Sequence, residues 1–229
     1  MNGILLVNKP LRMTSHDVIA QMRRKIHVKK IGHAGTLDPM ATGLLVLLIG
    51  NSTKISQYIT NQNKTYKGEL VLGVETDSYD TEGEIVAQRE VLCSEAEILS
   101  VFEAFRGEQD QLPPMFSAKK VNGQPLYKLA RKGETIEREP RKITIFDIKV
   151  DKIELPKVQF EVACTKGTYI RTLAHDIGQK LGCGAYLSGL CRTQTGNMSL
   201  KNATSLDDLL AMEIEDIEQK LLPITDILS

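Results

Sequence analysis

The chain lacks any apolar run long enough to cross a bilayer. Its longest, Leu44 to Ile49, has six residues, against the ~20 that a spanning helix needs. Only Ile4 to Val7 is apolar ahead of Asn8, so the N-terminus reads without a secretory signal. Cysteine is sparse and irregular: Cys93, Cys164, Cys183 and Cys191 stand 71, 19 and 8 positions apart, with no C-x-x-C pair and no histidine at metal-ligand spacing. That pattern excludes a disulfide framework and reads as reduced, buried thiols of a cytoplasmic protein; no metal site and no cofactor are expected. Net charge is also absent, with 29 basic and 29 acidic residues. Internal repeats and low-complexity tracts are missing as well.

What is present is an ordinary globular composition, 41% hydrophobic and 25% charged over 229 residues. A chain of this size buries roughly 70% of its unfolded surface. We read it as one catalytic domain over residues 1–229. The neutral total hides strong segregation: residues 1–68 carry a net +8, 69–110 a net −10, 111–200 a net +7 and 201–229 a net −5. Two basic blocks separated by an acidic one permit a positive face suited to a nucleic acid.

Gly3 to Val7 reads as a short buried strand ended by Asn8, Lys9 and Pro10, after which Ser15 caps a helix with the stripe Val18, Ile19, Met22 and Ile26. Arg23, Arg24, Lys25, Lys29 and Lys30 cluster at its end, where cations favour the helix dipole. Gly32 to Gly43 is a shaped loop feeding the strand Leu44 to Ile49. A second helix is expected over 53–60, a long strand over 65–75, and a turn or surface loop over the acidic stretch 75–84. Ser94 and Glu97 form a capping-box signature for a helix that buries Ile98, Val101, Phe102 and Phe105. Residues 115–142 are polar, basic and glycine-containing, with a short helical piece at 126–131, and read as a binding loop. Paired strands at 143–153 and 158–165, a helix from about Ile170 to Leu181 and two short acidic helices complete the chain. The irregular alternation favours an α+β fold with a central mixed sheet.

Within the loop, Asp38 precedes Pro39, whose ring bars Asp38 from the helical region, and flanking glycines allow close backbone approach, so the carboxylate is presented. The loop matches neither a P-loop nor a dinucleotide fingerprint. Gly32-His33-Ala34-Gly35-Thr36-Leu37-Asp38-Pro39-Met40-Ala41-Thr42-Gly43 resembles the signature of the TruB family of tRNA pseudouridine synthases, in which the Asp is catalytic. Val7-Asn8-Lys9-Pro10 with Thr14-Ser15, Lys64-Thr65-Tyr66, Ser117 to Gly123, Gly167-Thr168-Tyr169-Ile170-Arg171, and Gly182 to Ala185 leading to Leu190 and Arg192 are similar to further family motifs in the same order.

The resemblance implies the pseudouridine synthase fold, an α+β architecture whose mixed, mostly antiparallel sheet is flanked by helices and loops. It implies isomerisation of the T-loop uridine of tRNA, position 55, by a monomer needing no protein partner and no membrane. Breaking the C1′–N bond, turning the base and joining C5 to C1′ involve no net redox and no hydrolysis, and an aspartate is already ionised at neutral pH without a base. Attack on the sugar and removal of a sugar proton are both open to it. By the resemblance, Arg171 is the ion-pair partner of Asp38, Tyr66 stacks on the base, Leu190 forms an apolar wall and His33 fills space among displaced loop bases. Lys9, Lys54 and Lys64 stand beside these motifs as phosphate contacts. The family commonly carries a C-terminal PUA domain, which we expect to be absent here, and Phe116 stands where many relatives have Tyr. An RNA-guided relative working within a ribonucleoprotein and a non-catalytic RNA-binding module are the competing readings; a glycosidase needs a second acid that the loop does not supply.

Overall fold

The computed structural model describes residues 1–115, 120–121, 124–125 and 137–228. Most of the expected binding loop at 115–142, with most of the 117–123 motif and all of the helical piece at 126–131, lies outside the described residues. In chain order the elements are β1 (Gly3–Lys9), α1 (Ser15–Ile26), β2 (Ile31–Ala34), β3 (Ala41–Ile49), a 3-10 turn (Gly50–Ile55), α2 (Ser56–Thr60), β4 (Lys64–Leu72), β5 (Val74–Thr76) and β6 (Ile85–Gln88). Then follow α3 (Glu95–Glu103), β7 (Gly107–Gln111), the two-residue strands β8 (Lys120–Val121) and β9 (Gln124–Pro125), β10 (Arg141–Glu154), β11 (Lys157–Cys164) and α4 (Ile170–Leu181). The chain closes with β12 (Ala185–Thr195), β13 (Met198–Ser199), β14 (Thr204–Ser205), α5 (Leu206–Ala211), α6 (Ile214–Gln219) and α7 (Thr225–Leu228).

Where the sequence reads as one domain, the packing divides into two compact units, residues 1–67 with 190–229, and residues 68–189. In the first, the strand order is β14-β1-β3-β12, with β2 beside β3 and β13 beside β12. β1 and β2 run antiparallel to β3, whereas β1–β14 and β3–β12 are parallel, so the sheet is mixed. The apolar run of β3 follows from this position: Leu44 to Ile49 are fully buried on both faces, as a strand covered on both sides requires. One face joins Ile4, Leu6, Ala34, Ile59, Met198 and Ile227 in the core. Helix α1 turns its expected stripe, Val18, Ile19, Met22 and Ile26, inward.

In the second unit, the order β12-β4-β11-β10-β7 is set by the long antiparallel pair β10–β11. The expected strand at 65–75 is broken at Gly73, where the backbone takes φ +84° and a Cβ would lie 2.8 Å from the Arg89 carbonyl oxygen. Strand β5 beyond the break pairs with β6 instead. Helix α3 carries the expected capping box between Ser94 and Glu97 and buries Ile98 and Phe102. Among the described residues no helix is long and apolar enough to cross a membrane.

Candidate active site

The shaped loop is shorter than its glycines suggest. Because β2 runs to Ala34 and β3 begins at Ala41, six residues remain between them, Gly35 to Met40. Leu37 and Met40, 3% and 6% exposed, are driven into the core; each such burial stabilises by about 1.5–3 kcal/mol. Asp38 and Pro39 are left half-buried as the step between these two anchors. A tight turn closes beneath them, with the Ala41 N–H donating to the Asp38 carbonyl at 3.0 Å.

Three outside groups hold this loop. The Arg12 N–H donates to the Pro39 carbonyl at 2.9 Å. The Ser15 hydroxyl accepts from the Leu37 N–H at 2.9 Å and donates to the Leu37 carbonyl at 3.1 Å. Arg192, only 1% exposed, donates from Nε to the Leu44 carbonyl at 2.8 Å and from Nη2 to the Gly35 carbonyl at 2.9 Å, tying the first residue of the loop to the strand that follows it. Its position is fixed by the parallel pairing of β12 with β3, which sets Leu190 opposite Ala41 and Arg192 opposite Gly43. Gly35 and Gly43 have φ of +81° and +95°, and a Cβ on Gly43 would lie 2.4 Å from the Arg192 carbonyl oxygen. These glycines are therefore required by the arginine strand lying against them.

His33 is on β2, not on the loop, and is half-buried. Its ring meets His16 edge-on, with centroids 5.4 Å apart. Burial, helped by the charges of His16 and Arg192, pushes it down to about 4, so it is neutral at physiological pH. Its Nδ1 is buried without a hydrogen-bond partner among the described residues. Leu190 is half-buried on β12, and its carbonyl accepts from the Thr42 hydroxyl at 3.4 Å. Tyr66 is 9% exposed on β4.

The lysine expectations need correction. Lys9 is fully buried and its Nζ donates to the carbonyls of Pro10 and Met13 at 2.8 and 2.6 Å. Lys64 is 6% exposed and its Nζ donates to the carbonyls of Thr60 and Gln62 at 2.6 and 2.5 Å. Both ammonium groups are turned onto turn carbonyls inside the protein, where they serve as internal braces and do not stand in solvent as phosphate contacts would. Lys54 remains exposed. The helix cap is corrected too: Thr14, not Ser15, is the N-cap of α1, in a capping box with Asp17.

Arg171 belongs to the second unit, in the first turn of α4, and is 5% exposed. Its Nη1 pairs with Asp80 Oδ2 at 3.2 Å and donates to the Ser78 carbonyl at 3.3 Å. Asp80 is 1% exposed; its Oδ1 accepts from the Ser78 hydroxyl at 2.5 Å and from the Glu82 N–H at 2.9 Å. The acidic stretch at 75–84 makes the expected turn, with Asp77, Thr81, Glu82 and Glu84 exposed, but turns Ser78 and Asp80 inward. Its central Asp is buried because it has a guanidinium to face. Tyr79 stacks on His175 one turn along α4, with centroids 4.0 Å apart and planes at 18°.

Beside His175, burial pushes Asp176 from its ordinary 3.8 up to about 6. A carboxyl whose folded value is raised opposes folding once both states are ionised, above about pH 6 here, and ceases to do so as pH falls below the unfolded value. Asp176→Asn is therefore expected to raise Tm at pH 7.5 and to leave it unchanged near pH 3.5 in thermal melts. An equal shift at both pH values would show that ionisation is not the cause.

A carboxylate presented by a braced loop on a mixed α+β sheet fits the pseudouridine synthase class that the sequence resemblance implies. Residues 23–170 match the model of the TruB family pseudouridylate synthase N-terminal domain, and residues 171–229 that of the tRNA pseudouridylate synthase B C-terminal domain. The chain is 52% identical over 225 residues to tRNA pseudouridine synthase B of Opitutus terrae, covering 98% of this chain and 93% of the relative. It is 48% identical over 229 residues to the Syntrophotalea carbinolica protein of the same name, covering 100% of this chain and 75% of that one. Among solved structures it is similar to a chain of a Cbf5-Nop10-Gar1 complex, with a TM-score of 0.76 and 29% identity, covering 96% of this chain and 60% of that one. A chain of an H/ACA ribonucleoprotein bound to a substrate RNA gives 0.70 and 28%, covering 91% of this chain and 52% of that one. This chain belongs to the TruB family of pseudouridylate synthases.

Proposed function

We infer that this protein isomerises uridine to pseudouridine in the T-loop of tRNA, at the position called 55, with Asp38 as the catalytic carboxylate. The observation that supports this most is the placement of Asp38: the one acidic residue of a six-residue turn, half-exposed between two buried anchors and braced from three sides. Breaking the C1′–N bond and rejoining C5 to C1′ needs a carboxylate held against the ribose and a base free to turn. The base must leave its stack, at a cost of a few kcal/mol. Stacking on Tyr66 would return ~1–3 kcal/mol of that. The roles that the family resemblance gives Arg171, His33 and Leu190 go with the same reading. The substrate places the enzyme in the cytoplasm, and the chemistry, an isomerisation without net redox, calls for no metal, organic cofactor or protein partner.

The test is tritium release from tRNA transcripts carrying C5-labelled uridine. Wild-type protein is expected to release close to one equivalent per tRNA, with the modified position mapping to the T-loop. Tight binding with no release would point instead to an RNA-binding module.

A further inference from the structure

Ser15 is spare for the task its position suggests. Thr14 already caps α1: its hydroxyl accepts from the Asp17 N–H at 3.0 Å, and the Asp17 carboxylate receives the Thr14 N–H at 2.8 Å. The hydroxyl one residue on is turned inward and 1% exposed. There it is both acceptor and donor to a single residue 22 positions away, Leu37, the neighbour of Asp38. A hydroxyl offers one proton and two lone pairs, so this pair of bonds uses it in both senses and fixes the peptide groups on either side of Leu37.

We propose that Ser15 is a positioning residue for Asp38, its hydroxyl setting the reach of the carboxylate by holding the backbone of Leu37. The proposal rests on the reading of Asp38 given above. Among the described residues no other hydrogen bond holds the Leu37 backbone, and its side chain, buried at 3% exposure, fixes where the residue packs but not how its peptide planes turn. Rotating the plane between Leu37 and Asp38 moves the carboxylate directly. A displacement near 1 Å in a catalytic group costs about 100-fold in rate. Ser15 touches neither substrate nor reacting atoms in this scheme, so its loss should appear in turnover and not in tRNA affinity.

The experiment compares Ser15→Ala and Ser15→Cys, the latter similar in size but a weak hydrogen bonder, with Thr14→Ala, which removes the cap of the same helix. Single-turnover tritium release, tRNA Kd, Tm and amide exchange at Leu37 are read for each. Both Ser15 variants are expected to lose about 30- to 100-fold in rate with Kd within twofold of wild type, and to exchange the Leu37 amide at least about tenfold faster. Thr14→Ala should lower Tm while keeping the wild-type rate within about threefold. Ser15 variants within twofold of the wild-type rate, or a loss matched by Thr14→Ala, would overturn the proposal. Should wild-type protein itself release no tritium, the functional reading fails; the brace is judged separately, since unchanged Leu37 exchange in Ser15→Ala overturns it whatever the activity.

Discussion

Asp38→Asn is expected to bind tRNA as tightly as the unaltered protein and to make no pseudouridine. The substitution keeps the shape of the side chain, and the loop's braces act on the backbone of Gly35, Leu37, Pro39 and Leu44, so the turn should survive it. What is lost is the negative oxygen. An amide neither attacks a sugar carbon nor takes a sugar proton at useful rates, so the fall should be at least about 10,000-fold, or ~5.5 kcal/mol of barrier. Single-turnover assays with excess protein, beside filter-binding of the same tRNA, separate the two effects. Turnover within tenfold of wild type would remove Asp38 from the chemistry, whereas a parallel loss of binding would mean that the turn had not survived.

Asp80→Ala is expected to be the most destabilising single change in the second unit. It removes the Asp80 carboxylate from beside the Arg171 guanidinium, whose side chain is 6% exposed, and deprives the Ser78 hydroxyl and the Glu82 N–H of their acceptor. Removing one partner of a buried ion pair costs about 3–5 kcal/mol. For a chain of this size that corresponds to a Tm fall on the order of 10 °C. Asp80→Asn, which retains an acceptor oxygen but no charge, should fall by less. Scanning calorimetry of both variants checks the ordering; a loss of under 2 °C for Asp80→Ala would show that the Asp80–Arg171 pair does not hold this part of the fold together.

The parts of the molecule legible in its sequence are those written in local pattern. The stripe of α1, the capping box of α3, the α4 helix and the β10–β11 pair all rest on neighbours a few residues apart, and all stand close to where periodicity puts them. The parts that were not legible depend on partners far along the chain. Nothing near Lys9 or Lys64 says that the ammonium group will turn back onto the carbonyls of its own neighbouring turn. Nothing in the acidic stretch at 75–84 distinguishes Asp80 from its neighbours until Arg171 is placed opposite it. Ser15 and Thr14 are interchangeable as caps on paper, and only the turn inward toward Leu37 tells them apart. Strand β12 is not among the elements expected from the sequence, yet its parallel pairing with β3 is what delivers Arg192 to the loop.

That delivery bears on how the protein comes into being. The Gly35 carbonyl and the Arg192 guanidinium that receives it are 157 residues apart, and contacts of such separation form late because a large loop of chain must first be closed. As the polypeptide emerges during synthesis, the segment bearing Asp38 is made early, with Arg12 and Ser15 already at hand, but its third brace, Arg192, is made 157 residues after Gly35. Full bracing of the bend is therefore expected only once the far strand has arrived.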